Sequence, residues 1–149
     1  MPISRLLYTS TCNLSDKIEP LQDQVERIAI AAAQRNQKCG ITGSLLFVED
    51  QFIQVIEGES DILEDTFERI CCDLSHSKIR LIDLIAVKER LFAQWSMALL
   101  SAHSETDIPL RDDLVNIRFL VGVNARTAVE QMRECLEFRG FEVAEKAVA

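Results

Sequence analysis

The sequence is poor in histidine and lacks the spacings that assemble zinc centres. Its two histidines, His76 and His103, stand far apart, and none of its five cysteines (Cys12, Cys39, Cys71, Cys72, Cys135) falls in a CxxC spacing. Such spacings argue against a zinc site, and an odd number of thiols fits reduced cysteines used as small core hydrophobes. No apolar run approaches the roughly 18 residues of a membrane span, and residues 1–8 read as a strand rather than a signal peptide. Basic residues are also short: 16 Lys and Arg stand against 24 Asp and Glu, a net charge of −8. That balance argues against a nucleic-acid backbone or an anionic membrane as main partner. A soluble, cytoplasmic chain is expected. With a single tyrosine, Tyr8, and a single tryptophan, Trp95, aromatic chemistry has few candidates. No repeat or low-complexity linker divides the 149 residues, which suit one domain.

What is present centres on residues 40–58, GITGSLLFVEDQFIQVIEG. Bounding glycines and a turn at residues 48–51 predict two strands of a hairpin. Thr42, Ser44, Leu46 and Val48 point one way; Ile41, Gly43, Leu45 and Phe47 point the other. In the second strand Phe52, Gln54 and Ile56 share a face, opposite Ile53, Val55 and Glu57. Gln54 stands out, because an amide in an apolar strand needs partners for its donors and acceptors, whether backbone groups or a polar ligand.

Around this hairpin the pattern predicts a strand at 3–9 and a helix starting within 15–20, with the stripe Leu21, Val25, Ile28 and Ala32. That helix ends at 36–40, where Gly40 supplies a left-handed residue and Asn36 sits in the last turn. A second helix opens at Glu59 with the stripe Leu63, Phe67, Ile70 and Leu74, and Arg69 and Asp73 lie four apart, the spacing of a surface ion pair. An apolar strand follows at 81–87. A fifth, at 92–100, is expected to put Ala93, Trp95 and Met97 on one face. The order β-α-β-β-α-β plus one strand is the ferredoxin-like pattern of an α+β fold. Two helices cover only one face of such a sheet, so two more, at 107–119 and 124–139, are expected to cap the other. The division reads 1–101 core, 102–140 helical cap and 141–149 tail.

Four motifs in this frame, LLYTS with Tyr8, QRNQKCGITG with Asn36, FIQVIEG with Gln54 and FAQWSM with Trp95 and Met97, resemble the BLUF (blue light using flavin) photoreceptor domains over residues 3–100. The resemblance implies a noncovalent flavin between the two core helices: FAD, with FMN and riboflavin as alternatives. It assigns Tyr8, Gln54, Trp95 and Met97 to photochemistry, and Tyr8, Ile28, Arg35, Asn36, Gln54, Arg69, Ile70 and Asp73 to flavin contact, Ile28 and Ile70 sandwiching the ring. Arg35 departs from the asparagine or histidine of other members. In the family account the tyrosine gives an electron and then a proton to the excited flavin, and the glutamine is left rearranged, by rotation or tautomerisation, with a stronger bond to the flavin C4 carbonyl. This is a switch rather than turnover.

The cap resembles the extension of short BLUF proteins that act through other proteins. A non-enzymatic, self-associating sensor with a downstream protein partner is therefore expected. The rival reading is a light-indifferent ferredoxin-like binding module. A flavin or acyl-phosphate enzyme ranks below both, for want of a nucleophile–base pair or a phosphate-cradling glycine loop.

Overall fold

Two residues in the left-handed region, Glu49 (φ 47°) and Asp50 (φ 64°), close the central hairpin. They make the primed two-residue turn whose twist matches the flanking strands. A computed structural model describes residues 2–102 and 108–139. The elements are β1 (Ile3–Cys12), α1 (Leu21–Cys39), β2 (Thr42–Val48), β3 (Gln51–Glu59), α2 (Ser60–Cys71), β4 (His76–Val87), β5 (Ala98–Ser101), α3 (Ile108–Val121) and α4 (Ala125–Arg139). The sheet runs β4-β1-β3-β2-β5. It is antiparallel except for the β2–β5 pair. The expected 141–149 tail and His103 lie outside the described residues.

The sheet buries both faces. Under α1 and α2 lie Leu6, Tyr8, Leu45, Ile56, Met97 and Leu99 with Val25, Ala29, Ala33 and Leu63. On the opposite face Leu7, Leu46, Ile53, Val55, Phe92 and Trp95 pack with Leu114, Ile117, Met132 and Leu136 of α3 and α4. The predicted alternation of the hairpin and the two-helix cap are both found. Asn124 starts α4 by accepting the Thr127 N–H at 3.2 Å, and Gly40 (φ 74°) ends α1 with its N–H on the Asn36 carbonyl.

Among the boundaries that differ from expectation, three bear on the site. α2 stops at Cys71, so Leu74 is 89% exposed rather than part of a buried stripe, and Asp73 lies beyond the helix. The cause is local: the Asp73 carboxylate accepts the Ser75 N–H at 2.8 Å, an Asx turn competing with the helix. β4 begins at His76 rather than residue 81, because it pairs along the whole of β1, which itself reaches Cys12. As an edge strand it leaves Leu81 and Leu84 half exposed.

The third difference matters most. β5 starts at Ala98, and residues 92–97 are not a strand. The N–H groups of Leu91 and Phe92 go to the Glu57 carboxylate, and the Trp95 N–H closes a turn on the Phe92 carbonyl at 3.0 Å. Strand alternation therefore does not apply. Ala93 is exposed, Trp95 packs under the cap and Met97 packs on the opposite face.

The approach of β2 to β3 demands glycine at position 43, where an added Cβ would sit 2.1 Å from the Val55 carbonyl oxygen. Backbone on both sides cannot yield as a flexible side chain would. Gly43→Ala is expected to cost at least about 2 kcal/mol in urea unfolding; an unchanged midpoint and slope would show that the strands separate freely here.

Candidate functional site

Tyr8 of β1 and Gln54 of β3 are direct cross-strand partners. One residue of slippage would turn both away, so the register that builds the core also builds this pair. Both are buried, and the Tyr8 hydroxyl donates to Gln54 Oε1. Burial, and then the negative charge of Asp73, pushes the Tyr8 phenol far above its usual range, so it stays a protonated donor. That choice orients the amide. With Oε1 taken by Tyr8, Gln54 Nε2 faces Met97 and donates weakly to its Sδ at 3.7 Å.

The pair lies at the base of a cleft of about 390 Å³ between the sheet and the two core helices. Every residue assigned to flavin contact lines it: Tyr8, Ile28, Arg35, Asn36, Gln54, Arg69, Ile70 and Asp73. Of the two residues before β5 assigned to photochemistry, Met97 reaches Gln54, whereas Trp95 lies across the sheet in the cap-side core. Asn36, 4% exposed, donates from Nδ2 to the Ser96 carbonyl at 2.8 Å, tying the end of α1 to the chain between Trp95 and Met97.

Leu45, Phe52, Thr66, Cys72, Ser75 and His76 also line the cleft, and the sequence reading missed them. His76 read as an isolated histidine. A bulge at Lys78 (φ 53°) shifts the β1–β4 register and brings His76 opposite Cys12, where its ring meets Ser10 Oγ at 2.6 Å and the Ile70 carbonyl at 2.7 Å. No spacing in the sequence announces that bulge. Leu45 and Phe52 could have been found, because each shares the Gln54 side of its strand.

The cleft volume falls in the range of small-molecule sites. Isoleucines from both helices suit an aromatic heterocycle, the Asn36 and Gln54 amides suit a ring edge carrying donors and acceptors, and Arg35 and Arg69 suit an anionic tail. The residues that line the cleft thus fit a flavin, with its planar ring, hydrogen-bonding edge and anionic tail.

The BLUF family model, described as sensors of blue light using FAD, matches residues 3–98. The chain belongs to the BLUF family, as a blue-light flavin photoreceptor whose family chromophore is FAD. It is similar to the beta subunit of photoactivated adenylate cyclase from Euglena longa, 31% identical over 111 residues, which are 71% of this chain and 13% of that protein. The alpha subunit from Euglena gracilis is 28% identical over 95 residues, 64% of this chain and 9% of that protein. Among solved structures, BlrB, a BLUF protein in its dark state, matches with TM-score 0.73 and 27% identity, covering 91% of this chain and 97% of that one. Photo-activated BlsA matches with TM-score 0.65 and 25% identity over 99% of both chains.

Asp73 provides a pH test of the cleft. Burial alone would raise its pKa, but the hydrogen bonds from Ser75, backbone and then side chain, followed by the charges of His76 and Arg35, hold it below the ordinary carboxylate range. A depressed folded pKa contributes stability that is present above the unfolded value and lost as pH falls through the folded one. Asp73 is exposed, so solvent screens the effect. Relative to Asp73→Asn, which keeps an acceptor for Ser75, the native protein should lose urea stability progressively below about pH 4. Parallel stability profiles for the two proteins would show that the charge does not couple to folding.

Proposed function

We propose that Tyr8, Gln54 and Met97 form the light-responsive contact, that Ile28, Arg35, Asn36, Arg69, Ile70 and Asp73 hold the flavin beside it, and that segment 95–97 carries the change across the sheet. One observation carries this reading: Tyr8 donates to Gln54 Oε1 while Gln54 Nε2 faces Met97 Sδ. On absorbing blue light, bound flavin supplies an acceptor for an electron and a proton.

Tyr8 is the chain's single phenol and already lines the cleft. While its hydroxyl is a donor, Gln54 is locked. Once that proton leaves, the reason for presenting Oε1 to Tyr8 is gone. Rotation would exchange Oε1 and Nε2 between Tyr8 and Met97, and tautomerisation would change which atom donates without rotation. Either changes what Met97 meets.

Three side-chain and backbone bonds would pass the change on. The Ser96 carbonyl is held by Asn36, the Trp95 carbonyl accepts the Gly43 N–H at 3.0 Å, and the Ala98 carbonyl accepts Ser44 Oγ at 3.0 Å. Trp95 then meets the cap through the shared apolar core. Residues 1–101 act as the photosensory unit and the cap as the output surface, addressed to a separate protein in a self-associated, non-catalytic sensor. The photoactivated adenylate cyclases that resemble this chain are named for an effector activity, and a protein partner takes that place here.

Tyr8→Phe keeps the ring that packs 5.6 Å from Phe67 and removes only the hydroxyl. It should still bind FAD and lose the light-induced shift of flavin absorption to longer wavelength. A full, reversible shift in Tyr8→Phe would overturn this assignment.

A further inference from the structure

Among the charged groups, Glu57 is fully buried, on the cap side of β3, away from the flavin cleft. A buried carboxylate is costly unless its oxygens are saturated with donors. Oε2 accepts Arg5 Nε at 2.8 Å and the Leu91 N–H at 2.9 Å; Oε1 accepts the Phe92 N–H at 2.9 Å, with Thr42 Oγ1 at 3.5 Å. Arg90 bridges from outside, donating to Thr42 Oγ1 at 2.9 Å and to the Glu57 carbonyl at 3.1 Å. The ion pair with Arg5 engages only Oε2. Beyond it, each oxygen takes a backbone N–H from the connection between β4 and β5.

We infer that Glu57 is the positioning residue for segment 95–97, clamping the chain at Leu91 and Phe92 so that the following turn presents Trp95 to the cap and Met97 to Gln54. Phe92, fixed through its N–H, is also the residue whose carbonyl accepts the Trp95 N–H. Gly43, which binds the Trp95 carbonyl, pairs in register with Ile56, the neighbour of Glu57. Gln54 and Glu57 thus act on the same segment from opposite faces of one strand. Glu57 is the fixed end, and Gln54 meets the end that moves. The anchor also accounts for the missing strand at 92–97, since a carboxylate accepting two consecutive N–H groups bends the chain out of an extended ladder. This inference rests on the proposed role of the Gln54–Met97 contact in signalling.

The test uses the full-length, FAD-loaded protein and two readouts, amide hydrogen exchange and the emission of its single tryptophan. In darkness the native Leu91 and Phe92 amides, outside any strand, should exchange at least about tenfold more slowly than the exposed Gln94 amide. Glu57→Gln offers one acceptor and turns an NH₂ toward other donors. It should speed exchange at Leu91 and Phe92 by about tenfold or more, while amides of Leu7 and Val55 move much less. It should also keep the flavin red shift and lose at least about half of the light-minus-dark change in Trp95 emission.

Arg5→Gln removes the ion pair but leaves both backbone bonds, and should hold Leu91 and Phe92 exchange within about threefold of native. Native-like exchange and native-like Trp95 response in Glu57→Gln would overturn the inference, as would an Arg5→Gln protein that matches Glu57→Gln. If Glu57→Gln does not fold, the native and Arg5→Gln exchange rates decide in the same way. A native protein that shows the red shift with no Trp95 response would contradict the signalling route instead, and the dark exchange rates would still judge the anchor.

Discussion

A phenol and an amide that face each other across two antiparallel strands set the terms for the molecule. Burial keeps the Tyr8 hydroxyl protonated, its donation fixes which end of the Gln54 amide points where, and the far end meets Met97. Each step depends on the previous one. In water, solvent would compete for every donor and acceptor and the amide would have no preferred orientation; inside the fold it has one. The β1–β3 register therefore sets chemistry as well as packing.

Magnitudes indicate what such a site can accomplish. Rearranging one hydrogen bond changes the free energy by about 0.5–1.5 kcal/mol. Each fully buried Leu, Ile or Met side chain that seats the cap contributes about 1.5–3 kcal/mol, and Leu114, Ile117, Met132 and Leu136 are all of this kind. On the proposed route, a change of that size suffices to bias the cap between two close arrangements and is too small to detach it. A short segment pinned at one end suits that scale, because a small change at Met97 would reach Trp95 as a rotation or slide rather than unfolding.

Where local chemistry decided the structure, the sequence was legible. Gly40 ended α1 at the residue the pattern indicated, the Glu49–Asp50 turn closed the hairpin, and period-two alternation put Gln54 with Phe52 and Ile56 on one face. The cleft was legible for the same reason, since its predicted lining comes from regular elements and their ends. What escaped was decided by long-range side-chain bonds. Residues 92–97 carry a strand pattern, yet their entry is bonded to Glu57, 35 positions from Phe92 in the chain, and the Trp95 N–H closes a turn on Phe92. His76 looked solitary because a bulge in the β1–β4 pairing, not its neighbours in sequence, delivers it to the cleft. Leu74 looked like the end of an apolar stripe, but Asp73 and Ser75 around it make a turn more favourable than another helical residue.

In the proposed switch Tyr8 and Gln54 couple a bound flavin to the protein. The most direct test of this coupling is the absorption spectrum of the FAD-loaded protein before blue light, after it, and during return to darkness. A small shift of the flavin bands to longer wavelength that reverts in the dark is the expected result. Bound flavin whose spectrum does not move, or a cleft that refuses FAD on reconstitution, would contradict it, and the second result would leave a light-indifferent binding module.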